Sequence, residues 1–171
     1  QEVLDVVRLT NFVDTYPNEP SALAAFQQAQ VSDAISLVTT KEYRERAEAG
    51  EADAQFALAR LLEDGRVKLQ GGEEPLSWYR KAAEQENAEA QFAMGRSYAY
   101  GISVPQDYKQ AFAWYERAAE QGHADAQYQV GVGYHYGLNG AENLEYAQQW
   151  YQRAAAQDHE GARDALGKLA Q

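Results

Sequence analysis

A chain of 171 residues, 45% hydrophobic and 24% charged, has the make-up of one soluble domain, but its mean hydropathy of −0.65 and its many alanines leave little for a single round core. Its net charge of −11 opposes a nucleic-acid backbone or an anionic membrane surface. It has no cysteine, which excludes disulfide scaffolds, thiolate nucleophiles and Cys-ligated zinc.

In chain order, "EVLDVVRLTNFV" and "SALAAFQQAQ" read as helices that follow no repeat. Residues 1–42 are therefore expected to form an irregular helical N-terminal cap. The chain opens on Gln1 instead of methionine, and a segment upstream of it is expected. No run approaches the roughly 20 apolar residues of a membrane-spanning helix, so membrane insertion is not expected.

From Tyr43 a single register governs the chain to residue 171. "YRERAEAGEADAQ", Tyr43 to Gln55, is a degenerate copy of the later units. The pairs Trp78-Tyr79, Trp114-Tyr115 and Trp150-Tyr151 then recur at a spacing of 36, as do Ala54-Gln55, Ala90-Gln91 and Ala126-Gln127, and Gly65, Gly101 and Gly137. A first helix is predicted over Ala88 to Tyr100, closed by a left-handed Gly101. A second is predicted over Asp107 to Gln121, with Asp107 as N-cap; Asn143 holds that place one unit later. Its Tyr108, Ala111, Phe112, Tyr115, Ala118 and Ala119 form one apolar stripe. The small column Ala59, Gly95, Gly131, Gly167 allows close backbone approach, and the rings of Tyr98, Tyr134, Trp114 and Trp150 are expected opposite it. One helix pair cannot bury its stripe alone, so pairs must stack. The predicted fold is all-α: a right-handed α-solenoid of antiparallel helix pairs, about three units plus a final helix.

"WYERAAEQGHADAQYQVGVGYHYG", Trp114 to Gly137, resembles the Sel-one-like repeat family, helix-pair repeats related to tetratricopeptide repeats. The likeness runs from about Tyr43 to Leu169, and "GISVPQDYKQA" is similar to the family's inter-helix loop. The unit from Ala52 to Lys81 departs, with Ala59 and Leu62 where the family favours glycine and tyrosine. The resemblance implies a protein-binding scaffold, among them bacterial envelope adaptors and assembly factors. A narrower version is an immunity protein that neutralises a secreted effector, in the periplasm or secreted; the cytoplasm is the alternative.

Chemistry is hard to place. His123 and His159 sit one period apart in equivalent turns and read as exposed turn residues, and His135 reads as a surface residue. No Ser-His-Asp spacing, phosphate-binding loop or metal-ligand cluster is present, so no enzyme activity, cofactor or metal is expected. In a helix-pair stack the first helices line the inner face. That groove is expected to carry Phe56, Phe92 and Tyr128, Arg60 and Arg96, then Tyr100, Tyr136 and His135, side-chain types that dominate binding energy. The column Phe56, Phe92, Tyr128 fits inter-unit packing equally well. The leading function is a noncatalytic scaffold that holds a protein or peptide in this groove. The alternative is a spacer or oligomerisation domain of a longer chain.

Overall fold

The computed structural model describes residues 40–66, 74–138, 140 and 142–170. By compactness the chain divides into Gln1–Glu42 and Tyr43–Gln171. The expected N-terminal cap lies outside the described residues except for its last three. Among the described residues all regular structure is helical: α1 over 40–48, α2 Ala52–Glu63, α3 Pro75–Glu84, α4 Ala88–Tyr100, α5 Tyr108–Glu120, α6 Ala124–His135, α7 Leu144–Ala155 and α8 Glu160–Leu169.

Local chemistry sets these bounds. Asp107 accepts from the backbone N–H groups of Lys109 and Gln110, and Asn143 from that of Tyr146, so α5 and α7 start on a side-chain cap. First helices α2, α4 and α6 run into Gly65, Gly101 and Gly137, all at positive φ (67°, 69° and 64°). Glycine takes that conformation without the steric cost of a Cβ. The turn before each first helix also needs a left-handed residue, and the column reads Gly50, Glu86, Gly122, Asp158, with φ of 63° at Glu86 and 66° at Asp158.

Helices α2 to α8 pack chiefly on their chain neighbours. This gives three core clusters, the first around Leu58, Trp78, Tyr79 and Met94, the second around Phe112, Tyr115 and Val130, the third around Tyr151 and Ala162. The ring that faces each glycine differs from the expectation. A Cβ on Gly95 would stand 2.5 Å from the ring of Tyr115, and one on Gly131 would stand 2.6 Å from that of Tyr151. The tyrosine of each Trp-Tyr pair thus fills the seat, and Phe112 lies against Gly133. The tryptophans face other parts of the core, Trp78 and Trp114 in the first cluster and Trp150 against the second, and each lies under a cation three residues on: Lys81 over Trp78 (3.8 Å), Arg117 over Trp114 (4.7 Å) and Arg153 over Trp150 (4.4 Å). The reason is geometric, since neighbours on a helix point about 100° apart and only one of the pair can face the next helix.

Two polar ladders tie the units together. Gln55, Gln91 and Gln127, all buried, donate to the carbonyls of Ala47, Ala83 and Ala119 at 3.1, 3.2 and 3.1 Å. Their side-chain oxygens each accept at 2.8 Å from Gln85, Gln121 and Gln157 of the following second helix. The alanine-glutamine pair recurs because the alanine permits contact and the glutamine satisfies a helix-end carbonyl.

The second ladder overturns the expectation for two histidines. His123 and His159 are N-caps, with Nδ1 accepting from Ala126 and Ala162 at 3.2 and 3.1 Å. Their rings stack on Phe92 (4.5 Å) and Tyr128 (4.6 Å), and their Nε2 atoms face Glu89 (3.5 Å) and Asp125 (3.2 Å). With side chains only 9% and 18% exposed, they are structural rather than exposed turn residues. In the preceding unit Asn87 has the same role, capping Ala90 at 2.9 Å and donating to Asp53 at 2.8 Å.

Candidate interaction surface

The first helices place the candidate residues in three kinds of environment. Phe56, Phe92 and Tyr128 are half-buried between units. Phe56 meets Tyr79 at 5.8 Å, Phe92 meets Tyr115 at 5.6 Å, and Tyr128 meets Tyr151 at 5.7 Å. These rings hold the stack together, and two of them also reach a cleft. Arg60 and Arg96 are exposed on that cleft. Tyr100 and Tyr136 are 65% and 67% exposed. His135 is half-buried, parallel to Tyr136 at 4.4 Å and 3.3 Å from the Tyr151 hydroxyl through Nδ1. It therefore braces the stack as much as it faces outward.

Two clefts occupy equivalent places in successive units. The first, about 380 Å³, lies between α2 and α4 and is bordered by Phe56, Arg60, Glu63, Asp64, Phe92 and Arg96, with Tyr79 at its base. The second, about 130 Å³, lies between α4 and α6 and is bordered by Ala99, Tyr100, Tyr108, Val132 and Leu138, with Tyr115 at its base. Stepping 36 residues turns Glu63 into Ala99, Asp64 into Tyr100, Tyr79 into Tyr115 and Arg96 into Val132. One backbone shape thus presents a charged opening and then an apolar one.

The electrostatics follow this difference. The Tyr79 phenol donates to Glu63 at 2.6 Å, and burial, reinforced by that carboxylate, pushes its pKa well above the ordinary tyrosine range. Burial pushes Tyr115 and Tyr151 up likewise. These phenols stay protonated at neutral pH and lie buried, so the groups offered at the surface are the hydroxyls of Tyr100 and Tyr136 and the guanidinium groups of Arg60 and Arg96. Among the described residues, no three His, Asp or Glu side chains converge as metal ligands, and no helix is long and apolar enough to cross a membrane.

Reading the first helices alone misses a share of the surface. Tyr100, Ile102, Tyr108, Tyr136, Leu138, Leu144 and Tyr146 are the large hydrophobic residues exposed among those described. All seven lie where α4 joins α5 and α6 joins α7. In the preceding unit the same columns hold Asp64, Arg66, Gly72 and Glu74. The signal was present in the columns 102/138 and 108/144, which stay apolar in a loop where solubility favours polar residues.

A family model described as Sel1 repeat matches residues 52–87, 88–123 and 124–159, segments that open on the first residues of α2, α4 and α6. The chain belongs to the Sel1 repeat family. Among solved structures it is similar to a Sel1 repeat protein from Oxalobacter formigenes, 38% identical with a TM-score of 0.71, over 75% of this chain and 96% of that one. It is also similar to c5321, a protective antigen present in uropathogenic Escherichia coli strains, at 33% identity and a TM-score of 0.70. That match covers 75% of this chain but only 28% of the antigen. Helicobacter pylori cysteine rich protein B, 19% identical with a TM-score of 0.59 over 78% of this chain and 96% of that one, shares the fold. No curated protein matches the chain. Sel1 repeats generally mediate protein–protein interaction. Their helical solenoid in this chain is built without cysteine, on glutamine and cap ladders.

Proposed function

We propose that this Sel1 repeat chain is a noncatalytic scaffold that binds a protein partner through the first-helix face and the adjoining loop edge of its second and third units. The observation that carries it is the confinement, among the described residues, of the exposed large hydrophobic side chains to that edge. Clustered exposed apolar surface is costly in water unless a partner covers it. Tyrosine and arginine, which dominate the adjoining columns, are the residue types that most often carry interface energy. A bacterial envelope role, as adaptor or as an immunity protein facing a secreted effector, is the narrower form of the proposal. Its support is the likeness to the Escherichia coli protective antigen, and a periplasmic or secreted location goes with it.

The test is site-specific photocrosslinking in the native host, with benzoylphenylalanine at Tyr100 or Tyr136 and, as control, at the exposed Gln149. Adducts with a defined protein at the first two positions and none at the third are expected. Arg96→Ala combined with Tyr100→Ala should abolish the Tyr136 adduct while the helical circular dichroism stays unchanged. Equal adducts at all three positions would sink the assignment, and adducts only between copies of this chain would favour oligomerisation.

A further inference from the structure

The two equivalent clefts differ in what they leave unsatisfied. Each carboxylate of the first already has a partner in the protein. Glu63 accepts from the Tyr79 hydroxyl at 2.6 Å, Asp64 lies 3.8 Å from Arg66, and Glu89 lies 3.5 Å from His123. The guanidinium groups of Arg60 and Arg96 border the same cleft and, among the described residues, pair with no carboxylate within 4.0 Å. The lining holds three carboxylates against two arginines, but the carboxylates each face a donor of the protein while the guanidinium groups keep their donors for a guest acceptor. Phe56 and Phe92 wall the opening, and a carboxylate between the two guanidinium groups would make charge-assisted hydrogen bonds. In the second cleft Ala99, Tyr100 and Val132 stand where the first has Glu63, Asp64 and Arg96, joined by Tyr108 and Leu138, while the Arg60 column continues as Arg96.

Resting on the protein-binding function, we propose that the paired clefts form one bipartite site for an extended peptide segment of the partner. Its Asp or Glu side chain is held between Arg60 and Arg96, and a large apolar side chain is seated against Tyr100, Tyr108 and Leu138. Helix α4 separates the clefts. Its width of about 10 Å is spanned by about three residues of extended chain. The recognised segment therefore carries an acidic and an apolar residue about three positions apart.

A random dodecapeptide library displayed on phage, selected on the whole chain at physiological salt, tests this. Bulk electrostatics of a −11 protein would enrich basic peptides, so the proposal and the simplest rival predict opposite charge. Acidic-plus-apolar peptides are expected, and replacing their acidic residue with the amide should weaken binding about tenfold or more in fluorescence anisotropy. Arg60→Glu with Arg96→Glu should shift selection away from acidic peptides while keeping the apolar residue. Tyr100→Ser with Leu138→Ser should do the converse. All four side chains are exposed, so these variants fold, and Arg60→Gln with Arg96→Gln gives a second set without charge reversal. Basic or unenriched selections, or acidic peptides whose binding ignores the arginines, overturn the bipartite site. So does self-association lost in the Arg60→Glu, Arg96→Glu variant, since it would seat a second copy there. None of these outcomes touches the crosslinking result, on which the broader protein-binding function stands.

Discussion

Gly131→Ala is the sharpest test of how the units are seated. The new Cβ would stand 2.6 Å from Cδ1 and Cε1 of Tyr151 and 3.2 Å from its Cγ. That ring has little room to retreat: it is 1% exposed, its centroid lies 5.7 Å from the Tyr128 ring, and its hydroxyl is 3.3 Å from His135. Overpacking of this kind costs about 1–3 kcal/mol, whereas alanine in place of a helical glycine gains about 1 kcal/mol. Because the ring is pinned on two sides, the upper end of the cost applies and a net loss of about 1–2 kcal/mol is expected. Gly167 supplies the internal control. It occupies the same column, and a Cβ there meets nothing within 4 Å, so Gly167→Ala should keep only the propensity gain. Thermal and urea melts of the two variants should therefore differ by about 2–3 kcal/mol, or about 4–12 °C. Comparison within one column matters, because repeat arrays need not melt as a single cooperative unit. A Gly131→Ala variant that melts at or above the parent would refute the seating argument.

The ladders and turns give three more expected outcomes. Gln91→Leu removes two side-chain hydrogen bonds, leaving the Ala83 carbonyl only the Glu86 N–H and the exposed Gln121 amide to water, and should cost about 1–2 kcal/mol in urea unfolding; no measurable loss would show that water replaces the ladder. Glu86→Gly relieves a left-handed glutamate at φ 63°, worth about 1 kcal/mol, against glycine's entropic cost of about 0.5–1 kcal/mol, so a small rise in melting temperature is expected and a clear fall would contradict it. The buried phenols of Tyr79, Tyr115 and Tyr151 stay protonated where the unfolded chain ionises. Their contribution to stability is thus fully present below about pH 10 and is lost as pH rises through that value and beyond. Urea midpoints between pH 8 and 11 should fall, and Tyr115→Phe should flatten the fall at little cost at neutral pH. Tyr79→Phe should instead cost about 1 kcal/mol at neutral pH through the lost bond to Glu63, and no change in either profile would count against the assignment.

Most features that depend on near neighbours along the chain are legible in the sequence. Asp107 and Asn143 start helices, Gly65, Gly101 and Gly137 end them, and the stripe of α5 has its period, because caps and helical faces are set within four residues. The N-cap column of the first helices, Glu51, Asn87, His123, His159, is equally local, and polar side chains at a helix start are its signal. The tertiary structure alone decided what crosses between units. Tyr115, not Trp114, meets Gly95, and Gln91 finds its partners at Ala83 and at Gln121, 30 residues away. Phe56 and Phe92 serve as core and cleft wall together, an ambiguity that residue type cannot resolve, since an aromatic ring suits both places. The two clefts likewise share one backbone, and their opposite chemistry emerges only when α4 is packed between α2 and α6. The physical reason is that helix formation is local in the chain, whereas a surface is made by side chains brought together from successive repeats.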